Sequence, residues 1–130
     1  MFGDELTILG LYGLLVVATL LAQATGAMGQ LGMGYLLSSR DEGRTAAGMA
    51  ARLERALANS VTAMALFAPA VLILEARDGF TPLTLACAQI FLLARVVYLP
   101  SYAFGVTGLR SLAWSGGFFA TVALYFIGLA

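Results

Sequence analysis

The chain has 130 residues, of which 61% are apolar or aromatic and 11% charged, and its formal net charge is zero. An ordinary soluble domain carries about 25% charged residues, a domain this small cannot hide so much apolar surface, and a disordered tail needs the opposite composition. The mean hydropathy of +0.92 leaves an integral membrane protein, and at roughly 20 apolar residues per helical span four spans with short loops fill the chain.

The first apolar stretch runs from about residue 6 to 37. Its early part, LTILGLYGLLVVATLLAQATGAMG, is ample for one span. Ala22-Gln23-Ala24 has the look of a signal-peptide cleavage site, but the residues before the stretch are acidic where a signal needs Lys or Arg. The stretch is therefore read as a retained span. Gly26, Gly29, Gly32 and Gly34 near its end suit close helix approach or a loosened helix end. Residues 38–48, SSRDEGRTAAG, form the one sizeable polar segment and read as a loop, with Ser38 or Ser39 available as a helix cap.

A second span is expected over about 49–75, kinked near Ala65 to Pro69 by the proline. Asp78-Gly79 marks a tight turn. The third span covers about 82–103 and the fourth about 112–129. The whole is one four-helix membrane domain over residues 1–130. Arg40, Arg44, Arg52, Arg55 and Arg110 fall on the side of the first and third loops, and only Arg77 on the other. The positive-inside rule then puts those loops in the cytoplasm and both termini outside.

The residue counts remove several chemistries. All seven basic residues are arginines and there is no histidine. A basic nucleic-acid footprint is absent. With no histidine and with Cys87 alone inside an apolar run, no zinc or haem site is expected. Cys87 reads as a small buried hydrophobe.

The polar residues inside the spans carry the functional signal. Arg52, Arg55, Asn59 and Thr62 are spaced three, four and three apart, which places them on one face of the second span. Arg95, Tyr98 and Tyr102 share a face of the third. Arg95 lies roughly 12 Å inside the end of its span, where a charge is costly and faces the bundle interior or a wet cavity. The second span runs away from the cytoplasm and the third returns, so the two faces meet at one depth if the helices are neighbours. The expected product is a pocket rich in cations and phenols, with Glu54 alone among the acids near its rim. Arginine offers a forked donor to carboxylate or phosphate, so the ligand class is an anion. Plainer roles stand beside this one. Arg52 and Arg55 can snorkel to headgroups, Asn59 can join helices, Tyr102 can sit in an aromatic belt, and Arg95 can pair with Glu54.

Several short strings carry a family resemblance. Glu54-Arg55-Ala56-Leu57-Ala58-Asn59 resembles the E-R-A-x-x-N signature that opens the second helix of the MAPEG proteins (membrane-associated proteins in eicosanoid and glutathione metabolism). Ala94-Arg95-Val96-Val97-Tyr98, with Tyr102 four residues on, is similar to that family's third-helix motif. Arg110 with Trp114 resembles the R-x-x-x-W pattern at the fourth helix of bacterial members. The resemblance implies an all-α bundle of four transmembrane helices that assembles as a homotrimer, housed in a bacterial inner membrane. It also implies glutathione as cosubstrate, a lipophilic small molecule as its acceptor, and surrounding membrane lipids. Arg52, Arg55, Asn59, Thr62, Arg95 and Tyr98 would bind the thiol peptide. Arg110 would stabilise its thiolate, with Tyr102 as a second catalytic candidate. The chemistry implied is glutathione transfer to a lipophilic electrophile or reduction of a lipid hydroperoxide.

The sequence departs from the family in the offset of Arg110 from Tyr102, one residue longer than in the eicosanoid branch, and more consequentially on the second helix. Where members usually carry a glutamate that pairs with the ligand's ammonium group, this chain has Thr62, and Ala63 follows where an aromatic is often found. The missing contact is worth about 1.5–3 kcal/mol. The alternative reading is a non-catalytic protein of the same fold that binds or presents a lipid or other anion. A small four-span exporter ranks below both, because such proteins use an acid in mid-span and here Asp4 and Glu5 stand only at the edge of the first.

Overall fold

A computed structural model describes residues 3–38, 43 and 47–130. Four of its helices are long and apolar enough to cross a membrane: α1 (Glu5–Leu31), α3 (Gly48–Ala76), α4 (Pro82–Ala103) and α5 (Thr107–Leu129). A single turn, α2 (Met33–Leu36), follows the first. No strand occurs among the described residues. Ser39, Arg40 and Arg44 lie outside them.

Local chemistry sets the helix boundaries. Asp4 caps α1, its carboxylate accepting the Thr7 backbone N–H at 2.8 Å and the Thr7 hydroxyl at 2.9 Å. Thr81 and Thr84 form a reciprocal capping box at the start of α4, with Pro82 in its first turn. Both α3 and α4 close with Schellman motifs. In the first, Gly79 N donates to Leu74 O at 2.8 Å and Asp78 takes the left-handed conformation, φ 51°. In the second, Val106 N donates to Ser101 O at 2.8 Å and Gly105 supplies φ 75°. That turn lets α5 begin at Thr107, earlier than the expected start near 112.

The first apolar stretch is not one helix. Gly32, at φ 87°, ends α1 and redirects the chain into α2, so the expected run from 6 to 37 is broken there. A side chain would strain that backbone, whereas glycine adopts it freely. Ser38 does not cap α3: Ala47 is its N-cap and offers no side-chain acceptor. Gln30 compensates from α1, accepting the Ala47 N–H at 2.7 Å and donating to the Ala47 carbonyl at 3.0 Å. Pro69 lies inside α3, which continues through it. The Tyr125 hydroxyl donates to the neighbouring Leu66 carbonyl, in the turn where proline removes a helical donor.

Helices α3 and α4 each pack against both α1 and α5, while α1 and α5 do not meet. The outer pair therefore occupies opposite corners of the bundle. The two ends differ in what fills them. At the end bearing the chain termini, Phe67 stacks on Phe91 at 3.9 Å and Tyr12 meets Phe91 edge-on at 4.9 Å, within a core that includes Ile8, Val71, Leu74 and Leu124. At the end bearing the α1–α3 and α4–α5 connections the core shrinks to Ala56, Tyr98 and Ala113, with Leu99 and Tyr102 against it. The polar side chains occupy the room left there.

Candidate functional site

Arg95 sits in α4 at 2% exposure. Its Nη2 donates to the Ser60 hydroxyl at 3.1 Å, and its guanidinium lies 4.1 Å from the centre of the Tyr98 ring. Its Nε has no hydrogen-bond partner. Neither α4 nor α5 contains an acidic residue. Glu54 is exposed, and Arg95 meets Ser60 and Tyr98 in place of the plainer pairing with Glu54. Ser60 is itself fully buried, and its carbonyl accepts the Tyr12 hydroxyl at 2.8 Å. A serine of α3 thus joins a phenol of α1 to the arginine of α4.

A second set of cations surrounds Tyr102, whose ring is 5.7 Å from that of Tyr98. Arg55 Nε donates to the Tyr102 hydroxyl at 3.0 Å. The Arg110 guanidinium lies 4.9 Å from the centre of the same ring, a cation–π distance. Arg55, Arg95 and Arg110, from three helices, are thereby linked through two phenols. The matched depth expected for α3 and α4 is what brings them together.

Two cavities open beside these groups. The inner one, of about 180 Å³, lies between α3, α4 and α5. Asn59, Thr62, Arg95 and Thr121 provide its polar wall. The Asn59 Oδ1 is buried and, like Arg95 Nε, unpartnered. Ala63, Leu66, Phe91 and Phe118 provide the apolar wall. The outer cavity, of about 170 Å³, is lined by Tyr98, Arg110, Ser111, Trp114 and Ser115. Trp114 borders both and stacks on Phe118 at 5.1 Å.

The family model for the MAPEG family matches residues 6–130, nearly the whole chain. The chain belongs to the MAPEG family. No curated protein matches it. Membership makes it an integral, multi-pass membrane protein of a family concerned with glutathione and eicosanoid metabolism, built as a membrane helical bundle.

The MAPEG-like strings of the sequence thus converge in space, but they do so as two groups. Arg55, Tyr98, Tyr102 and Arg110 belong to the outer cluster; Asn59, Thr62 and Arg95 face the inner cavity. Arg52 joins neither, because its Nε donates to the Ala103 carbonyl at 2.8 Å and closes the C-terminal end of α4. The Thr62 hydroxyl turns back to the Ala58 carbonyl at 3.0 Å, and no carboxylate takes its place on the cavity wall. Tyr12 and Ser60 were missed by the sequence reading. Ser60 stands next to Asn59, one residue off the polar face. Tyr12 comes from a span whose only visible signal was apolarity. Phe91, Gly117 and Thr121 complete the inner wall and become legible only once α4 and α5 are docked.

Proposed function

We propose that this MAPEG protein is a glutathione-dependent transferase or peroxidase acting on lipophilic electrophiles, with the thiol peptide held at the outer cluster. The observation carrying this reading is the convergence of Arg55 and Arg110 on Tyr102 with no acid on α4 or α5. Two guanidinium groups suit the carboxylates and the thiolate of glutathione. No acid on the wall formed by Thr62 meets its ammonium group, so the fit covers the anionic parts of the ligand and leaves the amino end without a charged partner.

In this reading Arg110 favours the thiolate over the thiol by its charge, and Tyr102 donates a hydrogen bond to the reacting centre. The sulfur forms a bond to the electrophilic carbon and the displaced electron pair leaves with the departing group or stays on the opened oxygen. With a hydroperoxide, two thiols are oxidised to a disulfide while the peroxide is reduced to an alcohol and water. The site lies toward the end of the bundle that bears the α1–α3 and α4–α5 connections, and in this reading a lipophile enters it sideways from the bilayer.

The purified protein tests this directly. Millimolar glutathione should raise the thermal midpoint and yield a conjugate with a generic aryl halide, and Arg110→Ala should lower turnover by about 10²-fold or more. Loss of both wild-type responses sinks the enzyme reading. Thr62 favours the second reading, a non-catalytic lipid or anion binder. Under that reading Thr62→Glu creates glutathione binding that the wild type lacks.

A further inference from the structure

We infer that Ser60 and Tyr12 are positioning residues: together they hold Arg95 against the Tyr98 ring and so set the wall of the outer cavity. Neither residue lines the inner or the outer cavity, so both act through Arg95. Their effect on catalysis rests on the reading above, in which the outer cluster holds the thiol peptide.

The first argument is that Arg95 has somewhere else to go. A guanidinium carries five donors. Nη2 meets the Ser60 hydroxyl at 3.1 Å, and Nε meets nothing. Asn59, the neighbour of Ser60 on α3, holds a buried Oδ1 without a partner, and both Asn59 and Arg95 border the inner cavity. An amide oxygen carries more negative charge than a hydroxyl oxygen, so Asn59 competes for the same cation. Adjacent residues of a helix are turned about 100° apart, and a guanidinium bonded to Asn59 would take a different pose over Tyr98. The Ser60 hydroxyl selects the pose that stands 4.1 Å from the ring centre.

The second argument is how firmly that pose is built. Tyr12 is fully buried, and its ring is wedged edge-on against Phe67 at 6.4 Å and Phe91 at 4.9 Å. Its hydroxyl donates to the Ser60 carbonyl at 2.8 Å and faces the Arg95 guanidinium. On the other side, a Cβ at Gly117 would stand 3.6 Å from Arg95 Cδ, so α5 packs directly on the stem of the side chain. All four long helices thus fix one cation. Tyr98 receives the result: it is 3% exposed, its ring lies under the guanidinium, and it lines the outer cavity beside Arg110. A cation over the ring face holds the ring in place and draws electron density from the phenol, which makes its O–H a stronger donor. Sites whose supporting contacts are loose lose their geometry first.

The full chain, labelled with ¹⁵N-arginine in detergent micelles, tests the hold without any ligand. The Arg95 Nε–H resonance, assigned by its loss in Arg95→Lys, should be ring-shifted upfield and exchange slowly with water. Ser60→Ala and Tyr12→Phe should move it toward the other arginines and speed its exchange, and Ser60→Thr should restore it. Leu124→Ala opens the core at the far end of the bundle and controls for lost stability, so it should leave the resonance in place. Glutathione conjugation is then measured on the same proteins. Ser60→Ala and Tyr12→Phe should raise KM for glutathione about tenfold with kcat nearly unchanged, the pattern of lost uniform binding, and Leu124→Ala should change neither. An unmoved resonance in Ser60→Ala or Tyr12→Phe overturns the inference, as does the same displacement or KM rise in Leu124→Ala. A displaced resonance with an unchanged KM overturns the positioning role and leaves the thiol reading standing. Wild-type protein without glutathione turnover or thermal shift, but with the expected resonance pattern, sinks the thiol reading and supports the hold on Arg95.

Discussion

Ser60 offers Arg95 its hydroxyl and Tyr12 its backbone carbonyl, so one small residue ties α1, α3 and α4 together. Ser60→Ala removes the acceptor and leaves a second donor of a buried guanidinium without a partner, which costs about 1–3 kcal/mol. Reversible unfolding in mixed micelles should show that loss, and Ser60→Thr, which keeps the hydroxyl, should recover part of it. The same residue shows the limit of reading faces from spacing. Arg55, Asn59 and Thr62 were legible because they recur on one helical face and are polar where lipid demands otherwise. Ser60 breaks that spacing, and a small hydroxyl residue in an apolar run carries no cost that flags it. Arg52 shows the opposite failure. It satisfies the spacing but reaches the Ala103 carbonyl, a partner set by where α4 happens to end.

At the scale of elements, the glycines near the end of α1 separate into two kinds. A Cβ at Gly26 would stand 3.3 Å from the Ala50 Cβ, whereas one at Gly29 would meet nothing within 4 Å. Gly26→Leu should therefore force α1 from α3 at a cost of about 1–3 kcal/mol, and Gly29→Leu should stay within about 0.5 kcal/mol in the same unfolding assay. The α1 N-terminus carries a pH signature. The Thr7 backbone N–H, and then the Thr7 hydroxyl, hold the Asp4 carboxyl below its usual range. A depressed folded value contributes stability that is present above the ordinary carboxylate range and lost as pH falls through the lowered value. Amide exchange at Thr7 should thus keep its protection down through the ordinary carboxylate range and lose it only below, and Asp4→Asn should remove that pH dependence.

For the whole molecule, the expected orientation assigns the polar cluster to the cytoplasmic half of the bilayer. Cysteines placed at Gly43 and Gly79 in a Cys87→Ser background test it. A membrane-impermeant maleimide should label position 79 in intact cells and position 43 only after permeabilisation. The reverse pattern would invert the bundle and bring its cations to the outer face. At this scale the uneven core also acquires a meaning. Aromatic stacking closes the end bearing the termini, and from Phe91 toward the opposite end the packing loosens into cavities, two of them beside the polar side chains.

The sequence by itself determined that the chain lives in a bilayer, that it crosses in four helices, and that its few internal charges are arginines on two faces of matched depth. Those properties follow from composition and helical periodicity, which act locally and need no partner. Only the tertiary structure decided how the faces divide. The docking of α5 against α3 and α4 places Trp114 between two cavities, sends Arg55 and Arg110 to Tyr102, and leaves Arg95 and Asn59 facing an apolar throat. Side chains from three helices make that division, and their meeting depends on packing distances that no single helix encodes.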